Sequence, residues 1–567
     1  RYCLLSRGLG DVYKRQVEDA LSADARPRLA SGVDFEQAAE DGTWIAMIHG
    51  VPSSRVSRAV VDLMRAMNGE TALQDLHRRF APSESWEHFL QLAQRFHTCG
   101  LLEGGEKLPP GRLVYRPPFT LQIATLRAPA IFGRLDRLIV PLPRRAMQVS
   151  AAVLICLGLL AAAAQAEELR DALTSPVPLI ALVYLVGALS LMTLLHESAH
   201  GLTLTRFGGR PRRAGFMLFY LSPAFFVDVT DGWRLPERRQ RVAIALAGPA
   251  VHAVVGATAL LAALMLRHPL IHQAVLLLAV SCGAIVLLNL IPFVRFDGYI
   301  ALMSALDEPN LRGRAILDGS SFLTGLLFGA QRMTKRLDTW WSVPFGLASL
   351  VTPVVLVVFA VARIARALAG GGPVLGVLVV ALEAVVALAG VVLLSKALRR
   401  VLRAGVARLR FCSVVTALVA GIVIAGAVIP VPVTATFGFV AHGDRVILLH
   451  AGDTAAAVET DVPEGARVVL MSNGILANEQ VGEGTVMSRE PEPTRVPLEA
   501  LFPITADGAT VAAVIIAGVD VIGESRSLPA TGQARVELGV RSLWQTLWVT
   551  GVEMPLSSLQ SGEVGKE

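Results

Sequence analysis

A metal-binding motif ends a long apolar run near the middle of the chain. Residues 179–200 read LIALVYLVGALSLMTLLHESAH, so that seventeen uncharged residues precede a His-Glu-x-x-His motif. On a helix, His196 and His200 share one face and can bind the same ion, while Glu197 lies beside the open coordination position. Because ionisable groups are costly in lipid and usually mark function there, the stretch predicts a membrane helix with a catalytic metal site.

A third protein ligand is needed, since catalytic zinc sites combine three protein ligands with water. The candidate is Asp297, which lies near the end of the segment NLIPFVRFDG at residues 289–298. Pro292 in this segment breaks another apolar helix just where a polar ligand must enter. Taken alone, Asp297 could instead be the N-cap of the following helix, but its pairing with the His-Glu-x-x-His motif favours a ligand.

Three motifs together resemble the site-2 protease family of intramembrane zinc peptidases. They are the His-Glu-x-x-His helix, the later Asn-x-x-Pro-x-x-x-x-Asp-Gly segment, and the Ala-Gly-Pro tripeptide at residues 247–249 between them. The resemblance implies a polytopic α-helical core that binds one Zn2+ per chain. It implies three metal ligands, which are His196, His200 and Asp297, and it makes Glu197 the general base that accepts a proton from water.

The same resemblance implies a substrate groove shaped by Asn289, Pro292 and Gly298. Val294 stands where the common form of the family has a second proline. Residues 215–233 are too short to span a bilayer but apolar enough to enter it as a hairpin. In the resembled family a hairpin lies here beside the active site, and its edge can pair with an extended substrate. A purely structural plug is the alternative for this hairpin.

The composition predicts a polytopic membrane protein. The chain has 567 residues, of which 53% are hydrophobic, and a mean hydropathy of +0.54, so it is too apolar to be wholly soluble. Seven runs are long enough to span a bilayer, at residues 147–166, 179–200, 242–266, 274–293, 343–362, 374–395 and 411–429. The metalloprotease core is therefore predicted at residues 147–430.

Charge predicts the orientation of this core in the cell membrane. The loop at residues 201–241 carries eight arginines against three acids and is expected in the cytoplasm. No cleavable signal peptide is recognised before the first span, so we expect the N-terminus inside. Seven crossings then place residues 431–567 outside, where 17 acids and 8 bases occur. The net charge of +6 thus reflects topology and does not indicate a nucleic-acid partner.

The N-terminal region, residues 17–110, is predicted as two short strands followed by three helices at residues 55–67, 72–80 and 86–98. This layout is similar to PqqD-like winged-helix domains, which implies binding of the leader segments of ribosomally made, modified peptides. A winged helix with another role, including DNA binding, remains open. Residues 111–146 are predicted to be a linker. Residues 1–16 lack an initiator Met and share no pattern with the rest of the chain, so we expect them to be an artefact.

Further predictions concern the C-terminal tail and two isolated polar residues within the spans. Strand-like runs punctuated by Gly and Pro predict an all-β extracytoplasmic domain at residues 431–567. Glu383 stands alone in the sixth span, where an intramembrane acid can be functional or simply protonated and packed. His252 in the third span is expected to be a satisfied core residue, not a ligand.

These patterns favour a zinc endopeptidase that matures or releases a ribosomally synthesised, modified peptide. Its expected partners are that peptide, the lipid bilayer, and export or modifying enzymes. A non-catalytic membrane tether or export accessory for such a peptide is the alternative, although a tether has no need of the base Glu197. Regulated cleavage of a transmembrane signalling protein is a further alternative that shares the chemistry.

Overall fold

The computed structural model describes most of the chain, and the structural statements below concern the described residues. These are residues 22–37, 43–105, 113–116, 120–138, 143–219, 222–329, 336–368, 373–403, 405–442, 445–451, 462–522 and 528–553. They form two compact units. One contains the N-terminal region with residues 188–257 and 281–313, and the other contains residues 157–187 and 258–280 with the chain after residue 313. The predicted artefact at residues 1–16 lies outside the described part.

The N-terminal region is a small antiparallel sheet followed by three helices. In chain order its elements are β1 (Val33–Gln37), β2 (Thr43–Ile48), β3 (Val51–Ser57), α1 (Arg58–Ala66), α2 (Leu73–Phe80) and α3 (Trp86–Thr98). Met64, Leu73, Leu76 and Phe89 share one core. The three predicted helices are confirmed. The sheet has one strand more than predicted, because β3 pairs with β2 before the chain enters α1. The PqqD-like assignment stays a prediction.

The middle of the chain is mostly helical. In order its elements are β4 (Leu113–Arg116), β5 (Thr120–Thr125), α4 (Ala128–Leu138), α5 (Arg144–Ala164), α6 (Ala166–Thr174), β6 (Val177–Pro178), α7 (Leu179–Arg206), β7 (Ala214–Phe219), β8 (Ser222–Val227), α8 (Arg238–Ala263), α9 (Pro269–Asn289), α10 (Asp297–Leu306) and α11 (Leu311–Phe328). The last part contains α12 (Ser342–Leu368), α13 (Pro373–Arg403), α14 (Arg408–Val428), β9 (Pro430–His442), β10 (Arg445–Ala451), β11 (Arg467–Met471), β12 (Gln480–Pro497), β13 (Ile504–Thr505), β14 (Thr510–Val521), β15 (Thr531–Ser542) and α15 (Leu543–Trp548).

Within the described ranges, seven helices are long and apolar enough to cross a membrane: α5, α7, α8, α9, α12, α13 and α14. They coincide with the seven predicted spans, so a multi-pass membrane protein is supported. Several boundaries differ by a few residues, and α7 continues past His200 to Arg206. Within this last part of the helix, Thr205 donates its hydroxyl to the Gly201 carbonyl. The metal motif therefore lies inside the helix and not at its end.

The predicted hairpin is part of a four-stranded sheet. β7 and β8 pair as expected, and β5 pairs with the other side of β7, giving the order β4-β5-β7-β8. The backbones approach closely at Gly215, where an added Cβ would lie 2.1 Å from the Ile123 carbonyl oxygen. The predicted linker at residues 111–146 is thus structured where it is described. Its helix α4 also packs on α7, since Phe132 contacts Gly201 and Asp136 accepts from Arg206 at 2.9 Å.

The C-terminal region is a closed six-stranded antiparallel barrel of order β10-β14-β12-β11-β15-β9. This confirms that the C-terminal region is mainly β-structure, but it is not all-β as predicted, because residues 543–548 form the helix α15. Alternate side chains point inward, and the fully buried ones include Phe439, Leu448, Val468 and Leu470. The first and last strands of the barrel meet beside the last span, because Pro430 of β9 pairs with Ser542 of β15.

A buried carboxylate links the arginine-rich loop to the N-terminal sheet. Asp231 is only 2% exposed, accepts the Arg210 backbone N–H at 2.9 Å, and faces the guanidinium groups of Arg212 and Arg234. Arg234 also pairs with Glu36 of β1 at 2.7 Å. Arg212 donates to the carbonyl of the turn between β2 and β3. The segments before and after the hairpin are therefore joined to the N-terminal sheet through Arg212 and Arg234.

Candidate metal centre

Three predicted ligands converge in the structure. His196 and His200 lie four residues apart on α7, and Asp297 is the first residue of α10. The distances are 3.3 Å between the two histidine Nε2 atoms, 3.1 Å from His196 Nε2 to Asp297 Oδ2, and 3.5 Å from His200 Nε2 to the same oxygen. No other His, Cys, Asp or Glu joins this cluster among the described residues.

The geometry fits a tetrahedral metal ion. For metal–ligand bonds of about 2.0–2.1 Å, two ligand atoms at tetrahedral corners are separated by about 3.3–3.4 Å. The three observed separations bracket this value. Asp297 Oδ2 is buried and makes no hydrogen bond of ordinary geometry, as expected of an atom directed at an ion. Two imidazoles and a carboxylate suit zinc, and they also accept neighbouring divalent transition metals.

The Asp297 carboxyl is held in its charged form. Burial alone would raise its pKa, but the nearby His196 and His200 rings outweigh burial and hold the pKa of Asp297 at about 2. The alternative role as a helix N-cap is wrong, because Phe296 occupies that position and Asp297 is already helical. The carboxylate is therefore available as an anionic ligand at neutral pH.

The backbone of α8 fixes one of the two histidines. His200 Nδ1 donates to the Ile244 carbonyl at 2.6 Å, since a carbonyl oxygen can only accept. This hydrogen bond sets the tautomer and leaves the Nε2 lone pair for a metal ion. Outer contacts of this kind orient a ligand ring before the ion arrives.

Gly248 explains the Ala-Gly-Pro motif. A Cβ added at this position would lie 2.5 Å from Nε2 of both His196 and His200. The backbone of α8 therefore runs directly against the two imidazoles, and only glycine leaves room for them. The motif that carried part of the family resemblance thus has a local physical role at the metal centre.

We expect Gly248→Ala to lower metal affinity by at least about tenfold, because the methyl group must displace a ligand ring. Gly187→Ala is the matched control, since it lies on α7 with nothing within 4 Å of its added Cβ. The measurement is competition with a chromophoric chelator. Equal affinities for the two variants would show that the close contact at Gly248 does not constrain the ligands.

Glu197 lies between the ligands and the hairpin. Its Oε2 accepts the backbone N–H of Val227 at 3.1 Å. Val227 ends β8, which pairs only with β7 among the described residues. The Val227 N–H points to Glu197 and away from β7. Backbone groups of successive residues in a strand point to opposite sides, so the N–H and carbonyl of Phe225 lie on the same open edge of β8 as the Val227 N–H. The predicted base and an open strand edge are therefore adjacent.

The predicted groove residues surround the turn before Asp297. Asn289 ends α9 and donates its side-chain N–H to the Ile285 carbonyl of its own helix at 2.9 Å. Pro292 lies in the following turn, as predicted for a helix breaker. Gly298 is buried, and an added Cβ would lie 2.5 Å from the Leu290 carbonyl oxygen, so this glycine allows the turn to close. A role of these residues in binding substrate stays a prediction.

One neighbour of the site was not predicted. His252 on α8 is 3% exposed, and its ring centroid lies 5.3 Å from that of His196. It lies outside the cluster of converging ligand atoms, and its Nδ1 is buried without a hydrogen-bond partner among the described residues. Its spacing of four from Gly248 could have indicated this position, because residues four apart share a helix face.

Comparisons of the chain with known protein families, curated proteins and solved structures found no match. The functional argument therefore depends on the residues and geometry of the chain itself.

Proposed function

We propose that the protein is an intramembrane zinc metalloendopeptidase. The observation that carries the proposal is the convergence of Asp297 of α10 with His196 and His200 of α7, with Glu197 beside them. Helix α7 is long and apolar enough to cross a membrane. Ionisable groups in such a helix are costly unless they serve a function. The combination of three metal ligands, a neighbouring carboxylate and an adjacent strand edge matches the needs of peptide-bond hydrolysis.

The chain supplies a base in a defined orientation. When bound, zinc polarises the scissile carbonyl and lets water act as a nucleophile near neutral pH. Glu197 accepts the proton of the attacking water and later returns a proton to the leaving amine. The hydrogen bond from Val227 holds Oε2, which leaves Oε1 of the same carboxylate to exchange the proton.

The open edge of β8 supports a way of presenting the substrate. A peptide bond can be attacked only in an extended chain, so a helical substrate must unwind first. An extended segment that pairs with Phe225 adds a strand to the sheet and gains main-chain hydrogen bonds. Because Val227 of the same strand contacts Glu197, such a segment is brought next to the base.

The N-terminal region is the proposed receptor for the substrate. Its edge strands β1 and β3 pair only with β2 in the described part of the chain, so either can accept an added strand. The ion pair of Glu36 with Arg234 joins it to the arginine-rich loop. The open edge strands and the PqqD-like layout support a role in the maturation or release of a ribosomally made, modified peptide. In this proposal the N-terminus lies in the cytoplasm and the barrel lies outside the cell membrane.

The primary test is the metal content of the purified protein together with peptide cleavage. We expect one zinc ion per chain by elemental analysis, and cleavage that stops on chelation and returns with added zinc. Candidate substrates are small precursor peptides encoded beside the gene, co-expressed with the protein. A protein without stoichiometric metal would refute the proposal.

We expect the full-length protein in detergent to bind fluorescein-labelled leader peptides from such precursors and not to prefer DNA. The reason is that strand addition uses main-chain hydrogen bonds, whereas DNA binding depends on neutralising phosphates. Fluorescence anisotropy at two salt concentrations measures both. Tight duplex binding with a steep salt dependence, and no peptide binding, would contradict this role.

A further inference from the structure

The outer nitrogen of His196 lacks a partner that its fellow ligand has. His200 Nδ1 donates to a backbone carbonyl, but His196 Nδ1 is buried and has no hydrogen-bond partner in the described part of the chain. A histidine that binds a metal almost always donates its second ring N–H to an acceptor, which orients the ring and increases its basicity. The environment of His196 should therefore contain an acceptor.

His252 is the polar side chain placed to fill this role. Its ring packs against the His196 ring at a centroid distance of 5.3 Å, with the planes tilted by 58°. Its Nδ1 is also buried and unpartnered among the described residues. His252 follows Gly248 by four residues on α8, so both lie on the helix face that meets the ligands. Two unsatisfied ring nitrogens thus occur on neighbouring histidines in one buried site.

Leaving two polar atoms buried without partners costs stability, and one hydrogen bond between them satisfies both. A neutral imidazole offers one donor nitrogen and one acceptor nitrogen. His196 needs its Nε2 lone pair for the ion and so carries its hydrogen on Nδ1, which makes it the donor. In a direct hydrogen bond with this donor, His252 accepts through Nδ1.

Resting on the proposed function, we infer that His252 is a positioning residue of the metal centre that accepts a hydrogen bond from the outer nitrogen of His196. It does not bind the ion, because it lies outside the cluster of converging ligand atoms. Its role is to fix the ring orientation and the tautomer of His196, as the Ile244 carbonyl does for His200.

The test compares three variants of the full-length protein in detergent, with zinc affinity measured by chelator competition. His252→Leu keeps an apolar filling but removes the acceptor, and we expect an affinity loss of about 10–100-fold. His252→Asn places its amide oxygen near the position of Nδ1 and should recover most of the affinity. His450→Leu is the matched control, since His450 also has a buried, unpartnered Nδ1 but lies in the barrel.

The outcomes separate this inference from the proposed function. If wild type binds no zinc, the proposed function itself fails. If wild type binds zinc and His252→Leu binds it equally well, the inference is wrong. An equal loss in His252→Leu and His252→Asn would show that only packing matters, which also overturns the acceptor role.

An independent observation concerns α15, the short helix that follows the barrel. Its first backbone N–H, from Leu543, donates to the Ile429 carbonyl just after α14 ends. The Trp544 indole N–H then donates to the Val423 carbonyl at 3.1 Å. An added Cβ at Gly426 would lie 2.1 Å from the indole, so the ring lies directly on the backbone of the last span.

These contacts fix the position of α15 along the axis of α14. Val423 lies five residues before the end of α14 at Val428, which corresponds to about 7–8 Å along the helix axis. Interfacial helices lie about 5–10 Å into the boundary between headgroups and acyl chains, where Trp is enriched. Three of the exposed side chains of α15 are large and apolar, namely Trp544, Leu547 at 52% exposure and Trp548 at 62%, whereas Gln545 is polar and exposed.

The geometry points to α15 as an interfacial anchor that binds the lipid bilayer beside the last span. The full-length protein, reconstituted in phosphatidylcholine vesicles with brominated acyl chains, should show quenching of Trp548 fluorescence, obtained as the difference between wild type and Trp548→Phe. Trp86→Phe is the control, because Trp86 lies in the N-terminal region. If Trp548 fluorescence is not quenched by the brominated acyl chains but is quenched by aqueous iodide, α15 faces water and the assignment is wrong.

Discussion

Glu197→Gln should retain one zinc ion per chain and lose peptide cleavage by at least about a hundredfold, the lower end of what a general base contributes. Gln has nearly the same shape and cannot take up a proton at neutral pH. Its amide oxygen can still accept the Val227 N–H, so β8 should stay in place. The three ligands are untouched, and the metal should therefore remain.

The measurement is precursor processing in cells beside zinc content of the purified variant. Uncut precursor should accumulate and remain bound to the protein. Glu383→Gln is the matched control, because Glu383 is the other lone acid of the predicted spans and lies on α13 against Gly551. Precursor processing at the wild-type rate in cells that carry Glu197→Gln would mean that another residue supplies the base, or that another protein cuts the precursor and this one is a tether.

The parts of the fold predicted from sequence depend on local patterns. The spans follow from the length and hydropathy of single segments, so all seven appear as helices. His196 and His200 were predictable because a spacing of four fixes their side chains on one helix face. The helix break before Asp297 was predictable because Pro292 cannot continue a helix.

The parts that were missed depend on contacts between distant segments. β5 joins the hairpin through pairing of residues 120–125 with 214–219, and nothing in a short, part-apolar stretch specifies that partner. The unsatisfied Nδ1 of His252 depends on how two rings on different helices are turned. The buried contact of Gly298 with Leu290 depends on the path of the turn between them. Sequence patterns carry little information on such geometry.

Asp297→Ala should abolish stoichiometric zinc binding. Its carboxylate is one corner of the ligand triangle, at 3.1 and 3.5 Å from the two histidine nitrogens, and no other acid among the described residues joins the cluster. Two histidines alone leave a catalytic site one protein ligand short. The affinity loss should exceed the roughly 10–100-fold typical of an outer contact, because a direct ligand is removed.

Elemental analysis and a thermal shift with added zinc measure this loss. A ligand that binds only the folded state raises its stability, so zinc should raise the melting temperature of wild type and leave that of Asp297→Ala unchanged. Asp318→Ala is the matched control. Asp318 is 5% exposed and accepts backbone N–H groups of Arg336 and Leu337, so its loss should lower stability without preventing the zinc-induced shift. If folded Asp297→Ala retained one zinc ion, Asp297 would not be a ligand. The geometric argument for a peptidase would then be wrong as well.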